Sequence, residues 1–249
     1  MRDARGTGVS ARRFYVAPPG LDGESVTFGP RESRHIATVL RLRPGTRLRA
    51  FDGRQEVEVE VVALGEAVTA RVVGPRLPAV REVAVTLLQG LPRGPKMDLI
   101  VRTATEVGIT AIWPVLTARS LPPPGAARVA RWMRVAREAA RQCGRTDPPE
   151  VRPARPLAEA LADLGPVDLF VVPWEEEPRP IGALIAGTTF QAAAVLIGPE
   201  GGLAAADVAA ARAAGGQTVS LGPRLLRTET AGAVCAAILL YERLLRPRS

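Results

Sequence analysis

Histidine, lysine, cysteine and aromatic side chains are all scarce in this 249-residue chain. His35 is the only histidine. A lone imidazole cannot form a metal site by itself, and the chain has no HxxE or HExxH pattern, so no metal centre is expected. Any Ser–His–Asp constellation would have to run through that one residue, and nothing in the sequence sets it beside a nucleophile. Cys143 and Cys235 stand far apart with no CxxC spacing, so neither a disulfide framework nor a zinc site is indicated, which fits a reducing cytoplasm. Aromatic residues make up 4% of the chain, so its core must be built from Leu, Val, Ile and Ala. Neither GxGxxG nor a Walker A loop occurs, which argues against a nucleotide-dependent oxidoreductase or an NTPase.

Long apolar runs are also rare. Residues 180–199 carry no charge, but Gly182, Gly187, Thr188, Thr189 and Gln191 break the run into a short helix-like piece and a buried strand, not a membrane span. Residues 1–13 are basic without an apolar segment, so no signal peptide is expected there, and residues 1–11 read as a loose tail.

What the chain does have is arginine. Lys96 is its only lysine, against a formal net charge of +8 and a pI of about 10.9. A GC-rich genome accounts for arginine over lysine, but not for the excess of base over acid. Guanidinium groups are always charged and match phosphate geometry, so the balance points toward a nucleic-acid partner.

Along the chain, short strands come first, at 12–16, 25–28, 48–51, 56–64 and 68–73. Residues 56–62 alternate Glu and Val, the period-two pattern of a strand with its polar side out. One helix interrupts the series at 31–40, with Ile36, Val39 and Leu40 on one face. Strands plus one helix suggest a small β-barrel over 12–76. Residues 74–78, Gly-Pro-Arg-Leu-Pro, read as a linker. From residue 80 to 249, strands and helices alternate, as in an α/β domain with a mostly parallel sheet. Strands are expected at 83–88, 111–115, 168–172, 193–197 and 218–221. Helices are expected at Lys96–Val107 (stopped by Gly108), 128–142, 204–214 and 228–245, and Pro122-Pro123-Pro124-Gly125 reads as a loop.

Four segments carry chemistry. Ile197-Gly198-Pro199-Glu200-Gly201-Gly202 follows an apolar strand, where ligands of α/β sheets bind and where glycine lets backbone approach a ligand. Residues 220–230, SLGPRLLRTET, form a second strand-to-helix junction, with Thr228 a plausible N-cap and Glu229 in the first helical turn. Residues 89–98, QGLPRGPKMD, form a third such loop. Residues 137–145 end a basic helix that also carries Arg128, Arg131 and Arg134, a series able to track phosphates.

Together, RHIATVLRLRPGTRLRAFDG (34–53), KMDLIVRTATEVGITAIWPVLTARS (96–120), EAARQCGRTDPPEV (138–151), IGPEGG (197–202) and SLGPRLLRTETA (220–231) resemble the bacterial 16S ribosomal RNA uridine-N3 methyltransferase family, a SPOUT-class group. The pieces span the chain in order. Arg93 stands where the family commonly has lysine, Cys143 where it has serine and Leu203 where it has an aromatic. The resemblance implies a PUA-like RNA-binding β-barrel followed by an α/β trefoil-knot domain. It also implies a homodimer and an S-adenosylmethionine cofactor.

The resemblance further implies a site. Ile197, Gly198, Glu200, Gly201, Leu221, Gly222, Leu226 and Thr228 match the cofactor loops, and Pro173 with Trp174 would form a third wall. Uridine N3 lies on the Watson–Crick edge, so the base must be unpaired or flipped out. Arg227 is the expected electrostatic or positioning group, and Glu229 a candidate for proton removal. Arg34, His35, Arg41, Arg43, Gln142 and Arg145 are the expected RNA contacts. A SPOUT enzyme acting on transfer RNA or a ribose hydroxyl would keep the fold and cofactor. A non-catalytic assembly factor need not keep the pocket.

Overall fold

The computed structural model describes residues 12–78, 83–120 and 125–245. The tail expected at 1–11 and Pro122 to Pro124 of the expected loop lie outside the described residues. The chain divides into two compact units, Met1–Val80 with Arg141–Asp147, and Arg81–Ala140 with Pro148–Ser249.

The first unit contains β1 (Arg13–Tyr15), β2 (Ser25–Thr27), α1 (Pro30–Arg34), β3 (Arg47–Phe51), β4 (Gln55–Leu64), β5 (Val68–Val72) and β6 (Leu77–Pro78). The sheet runs β1-β3-β4-β5-β2; β1 joins β3 in parallel and the other pairs are antiparallel. The expected linker is thus partly strand, since β6 pairs with Gln55 and Glu56. Alternate residues of β3, β4 and β5 bury Leu48, Ala50, Val57, Val59, Val61, Val68 and Ala70 against Phe14, Phe28 and Ile36.

Two local departures from pattern have physical causes. Glu56 was expected to face water with its Glu-Val alternation, yet it is buried, because the Arg13 and Arg49 guanidinium groups both bind its carboxylate. A register shift between Val61 and Ala63 then turns Val62 outward. The expected helix is a five-residue α-helix followed by a π-helical turn, His35–Val39. The wider turn breaks the 3.6-residue period, so Ile36 is buried while Val39 is exposed. Ser33 anchors this segment: its Oγ donates to Phe28 O at 3.0 Å and accepts Val68 N–H at 2.9 Å.

The second unit contains β7 (Ala84–Gly90), α2 (Lys96–Val107), β8 (Ala111–Leu116), α3 (Ala126–Cys143), β9 (Glu150–Val151), β10 (Arg155–Pro156), α4 (Leu157–Asp163), β11 (Leu169–Pro173), α5 (Ile181–Ile185), β12 (Ala192–Ile197), α6 (Ala205–Ala213), β13 (Gln217–Val219) and α7 (Thr228–Leu240). The end of α3, from Arg141, belongs to the first unit. The expected final helix stops earlier than its apolar run, passing into a π-helical turn at Tyr241–Leu245.

The sheet of this unit is parallel throughout, in the order β10-β8-β7-β12-β11-β13, with β9 also on β8. Its central strands are continuous apolar runs because both faces are covered. Leu87, Val171, Val195 and Ile197 meet α2, α3, α5 and α7 on one face. Leu88, Phe170, Val172 and Leu196 meet α4 and α6 on the other. Among the described residues no helix is long and apolar enough to cross a membrane.

Candidate active site

The chain leaves β8 for the sheet edge and returns on the far side of β7, placing β12 between β7 and β11. The loops that follow β11, β12 and β13 therefore open side by side at the carboxyl ends of their strands, the usual ligand position in such sheets. They enclose a cavity of about 820 Å³ within the second unit.

The loop after β12, residues 198–202, rests on the end of β7. A Cβ at Gly90 would stand 2.7 Å from Pro199 N and Cδ, so only glycine admits the contact. Glu200 holds this loop from outside. Its carboxylate accepts Lys96 Nζ at 2.8 Å and Arg93 N–H at 3.1 and 3.2 Å. Burial alone would raise the carboxyl, but the bonds from Lys96 and backbone N–H groups outweigh it and hold Glu200 below the usual glutamate range. The Arg119 guanidinium donates to Gly201 O. Asp207 completes the frame by accepting Ala204 N–H at 2.9 Å and Ala118 N–H at 3.2 Å.

The loop after β13 runs from Ser220 to Arg227 and leads into α7. Gly222 has φ +117 and no atom within 4 Å of where a side chain would begin, and its N–H donates to Ser220 Oγ at 3.2 Å. Arg227, not Thr228, is the N-cap, and no side chain caps α7. The Thr228 hydroxyl turns instead to the neighbouring loop and donates to Gly198 O at 2.6 Å. Glu229 Oε2 is buried without a hydrogen-bond partner among the described residues. Arg227 Nη1 lies 3.9 Å from Glu229 Oε1, on a guanidinium whose side chain is 85% exposed.

The loop after β11 is fixed by Glu177. Its carboxylate accepts Thr218 Oγ1 at 2.6 Å, then Arg179 N–H at 3.1 Å, and lies 3.5 Å from Arg212; these contacts hold it below the usual range. Arg212 also lies 5.5 Å from the Trp174 ring centroid. Among the described residues, no group of three or more His, Cys, Asp or Glu could hold a metal ion.

Residues 80–240 match the family described as RNA methyltransferase domain, and residues 28–71 match the RNA methyltransferase PUA domain. The ribosomal RNA small subunit methyltransferase E of Synechocystis sp. is 35% identical over 240 residues, covering 92% of this chain and 77% of the relative. The enzyme of the same name from Bacillus subtilis is 30% identical, covering 85% and 88%. The chain belongs to the ribosomal RNA small subunit methyltransferase E family.

A crystal structure of the family member from Neisseria gonorrhoeae, bound to S-adenosyl methionine, matches with a TM-score of 0.84 and 30% identity over 94% of this chain and 98% of that one. A methyltransferase from Legionella pneumophila in complex with the same cofactor matches at 0.80 and 25%. The SPOUT fold class expected from the motifs is thus that of the chain's structural relatives.

Against this family background, all nine residues expected to bind cofactor line the one cavity: Pro173, Ile197, Gly198, Glu200, Gly201, Leu221, Gly222, Leu226 and Thr228. Arg227 and Glu229 line it too. The geometry revises two roles. Glu200 holds its loop through Lys96 and Arg93, and Thr228 ties two loops together and caps nothing. Lys96, Glu175, Glu176, Glu177 and Arg224 line the cavity without having been singled out for it. The signal for Lys96 was its isolation as the only lysine of an arginine-rich chain.

The expected RNA contacts all fall in the first unit. Arg34 lies at the end of α1 and is exposed; His35 is half-buried with its ring edge-on to Phe14 at 5.8 Å. Arg41 and Arg43 are exposed on either side of buried Leu42, and Arg41 is held at φ 49. Gln142 is exposed at the end of α3. Arg145 differs: its side chain is 14% exposed and bound to Asp147 at 3.0 Å, which withdraws it from a phosphate-contacting surface.

Proposed function

We propose that this chain transfers a methyl group from S-adenosylmethionine to N3 of a specific uridine in 16S ribosomal RNA. The carrying observation is the convergence of three sheet-end loops on one cavity that holds all eleven residues expected to bind cofactor or act in catalysis. Its volume lies within the roughly 300–1,000 Å³ of small-molecule sites. The lining fits the cofactor: Leu221, Leu226 and Ile197 offer apolar walls, and carboxylates on the cavity lining suit a cation. When bound, the cofactor supplies an activated, positively charged methyl donor.

The chain's own residues must then manage a proton and a charge. Uridine N3 carries a hydrogen that has to leave as the N–CH3 bond forms. Glu229 Oε2, buried and unpartnered beside the cavity, is the acceptor for that proton. The Arg227 guanidinium stands beside it and stabilises negative charge as it develops on the uracil ring.

RNA binding is the task of the first unit, and pairing of charges says where. Arg13, Arg47, Arg49, Arg54 and Arg71 are matched to Glu or Asp side chains. Arg34, Arg41 and Arg43 have no ion pair among the described residues, and Arg41 is kept in a backbone conformation that side chains rarely adopt. Uncompensated guanidinium groups on exposed backbone suit phosphate contacts. In this reading residues 12–76 form the PUA-like RNA-binding domain, residues 80–249 form the methyltransferase domain, the enzyme works as a homodimer, and its place is the cytoplasm, where the small ribosomal subunit is.

The test is methyl transfer from labelled S-adenosylmethionine to small subunits that lack the modification, read by reverse transcription. An N3-methyl blocks Watson–Crick pairing, so one enzyme-dependent stop at a uridine of 16S RNA is expected. Label transferred elsewhere, or bound and never transferred, would overturn the proposal.

A further inference from the structure

Gln89 is a buried polar residue that the proposed reaction does not use. It is the penultimate residue of β7, has no exposed surface, and stands in register with Ile197 of β12. Its side-chain nitrogen donates to Gly90 O at 3.0 Å and to Thr228 Oγ1 at 2.9 Å. The Gly90 carbonyl fixes the amide orientation, because the flipped amide would set one acceptor oxygen against another. Thr228 has a single hydroxyl hydrogen, and it goes to Gly198 O at 2.6 Å. The Thr228 oxygen therefore accepts from Gln89, and the bonds run one way: Gln89 amide, Thr228 hydroxyl, Gly198 carbonyl. In a buried chain of this kind each bond polarises and strengthens the next.

The places joined are far apart in sequence. Gly198 opens the loop after β12, and Thr228 closes the loop after β13. Gln89 reaches Thr228 directly and Gly198 through the Thr228 hydroxyl, without itself lining the cavity. The fold itself gains little from an amide here. Gln89 Oε1 is buried with no hydrogen-bond partner among the described residues, so an apolar side chain of the same length would fill the space without an orphaned oxygen. The donors, not the packing, account for glutamine at this position.

We propose that Gln89 is a positioning residue that sets the spacing of the two cofactor loops through the Gln89–Thr228–Gly198 relay. This rests on the reading of the cavity as an S-adenosylmethionine site. The decisive variant is Gln89→Met, of similar length and without a donor. Cofactor dissociation constants by titration calorimetry, kcat, and the melting temperature of the cofactor-free protein are measured together. The expected result is a dissociation constant raised about tenfold, the size of the lost Gln89–Thr228 bond, with the cofactor-free fold retained. An unchanged dissociation constant overturns the proposal, as does a loss of affinity that merely tracks a lowered melting temperature. A cycle with Thr228→Val separates a relay from two independent contacts: adding Gln89→Met to Thr228→Val should change the constant by less than about twofold, and losses that multiply refute the relay. Should Gln89→Met not fold, the wild-type protein still decides by NMR. The Gln89 side-chain amide signals should exchange slowly and shift on saturation with cofactor; signals blind to the cofactor refute the coupling. Failure of the wild-type chain to bind S-adenosylmethionine at all would instead sink the functional reading beneath it.

Discussion

The Lys96–Glu200 pair offers a quantitative check on how the loop at 198–202 is held. The perturbations are Lys96→Met, Glu200→Gln and the two combined. Charges 2.8 Å apart attract by about 1.5 kcal/mol in bulk water and about 6 kcal/mol at an effective dielectric near 20. The two side chains are 38% and 30% exposed, so the aqueous end applies. Measured cycles on exposed pairs give about 0.2–1 kcal/mol. Glutamine at 200 can still accept Arg93 N–H, so each single variant should cost the loop about 0.2–1 kcal/mol, up to roughly fivefold in cofactor affinity. The combined variant should be no worse than the poorer single one, because both remove the same interaction. Isothermal titration with S-adenosylmethionine at low and high salt is the assay, and the wild-type advantage should shrink with salt.

The acid side gives an independent reading of the same pair. Glu200 is held below its ordinary carboxyl value, about 4.3 for a free glutamate. A depressed carboxyl contributes above the unfolded value and is lost as pH falls through the lower folded one. Affinity should therefore show no contribution from Glu200 titration between pH 6 and 8, and Glu200→Gln should differ from wild type by a constant factor there. Single variants with unchanged affinity, or losses that multiply in the combined variant, would refute the idea that this pair positions the loop.

Arg227→Ala should lower kcat by about 10²–10³, the usual cost of one transition-state electrostatic donor, while cofactor affinity stays within about twofold; unchanged turnover in single-turnover assays would remove Arg227 from the mechanism. Arg41→Gly should relieve the left-handed backbone at φ 49, leaving stability unchanged or raised by up to about 1 kcal/mol, while RNA affinity falls and its logarithmic salt slope shrinks by about one. Both are read from melting curves and filter binding across a salt series; an unaltered slope would exclude a phosphate contact at Arg41. Burial pushes the Cys235 thiol up to about 12, whereas Cys143 is exposed. The folded protein at pH 8 should thus titrate one thiol with a chromogenic disulfide and two after denaturation; two reactive thiols in the folded state would contradict the packing around α7.

Much of the second unit was legible because periodicity and punctuation coincide there. α2 begins at Lys96 and ends before Gly108, and β12 is an unbroken apolar run because both sheet faces are covered. Legibility failed where a partner distant in sequence overrides a local pattern. Glu56 belongs to a polar-out alternation, and two arginines from other strands bury it. Thr228 has the composition and position of an N-cap, yet a carbonyl 30 residues earlier in the chain takes its hydroxyl. The two-residue strands β9 and β10 have no period to detect, and residues 141–147 join the first unit from the end of a helix whose pattern gives no sign of it.

The same distinction separates what the motifs could say of the site from what they could not. IGPEGG and SLGPRLLRTETA identify two loops, and each alone reads as an ordinary strand-to-helix turn. Their meeting depends on strand order: β12 lies between β7 and β11, and β13 beyond β11, so loops some twenty residues apart in sequence open onto one cavity with a third from β11. That order also puts the end of β7 directly beneath Gly198 and Thr228, which is why a segment more than a hundred residues upstream supplies the ties at Gln89, Arg93 and Lys96. A pocket made of glycine-containing loops needs fixed points, and here they come from the end of β7, the first strand of the unit, and the loop that follows it. Changes at β7 and its following loop should therefore act on cofactor affinity through loop spacing, with the cavity lining itself untouched.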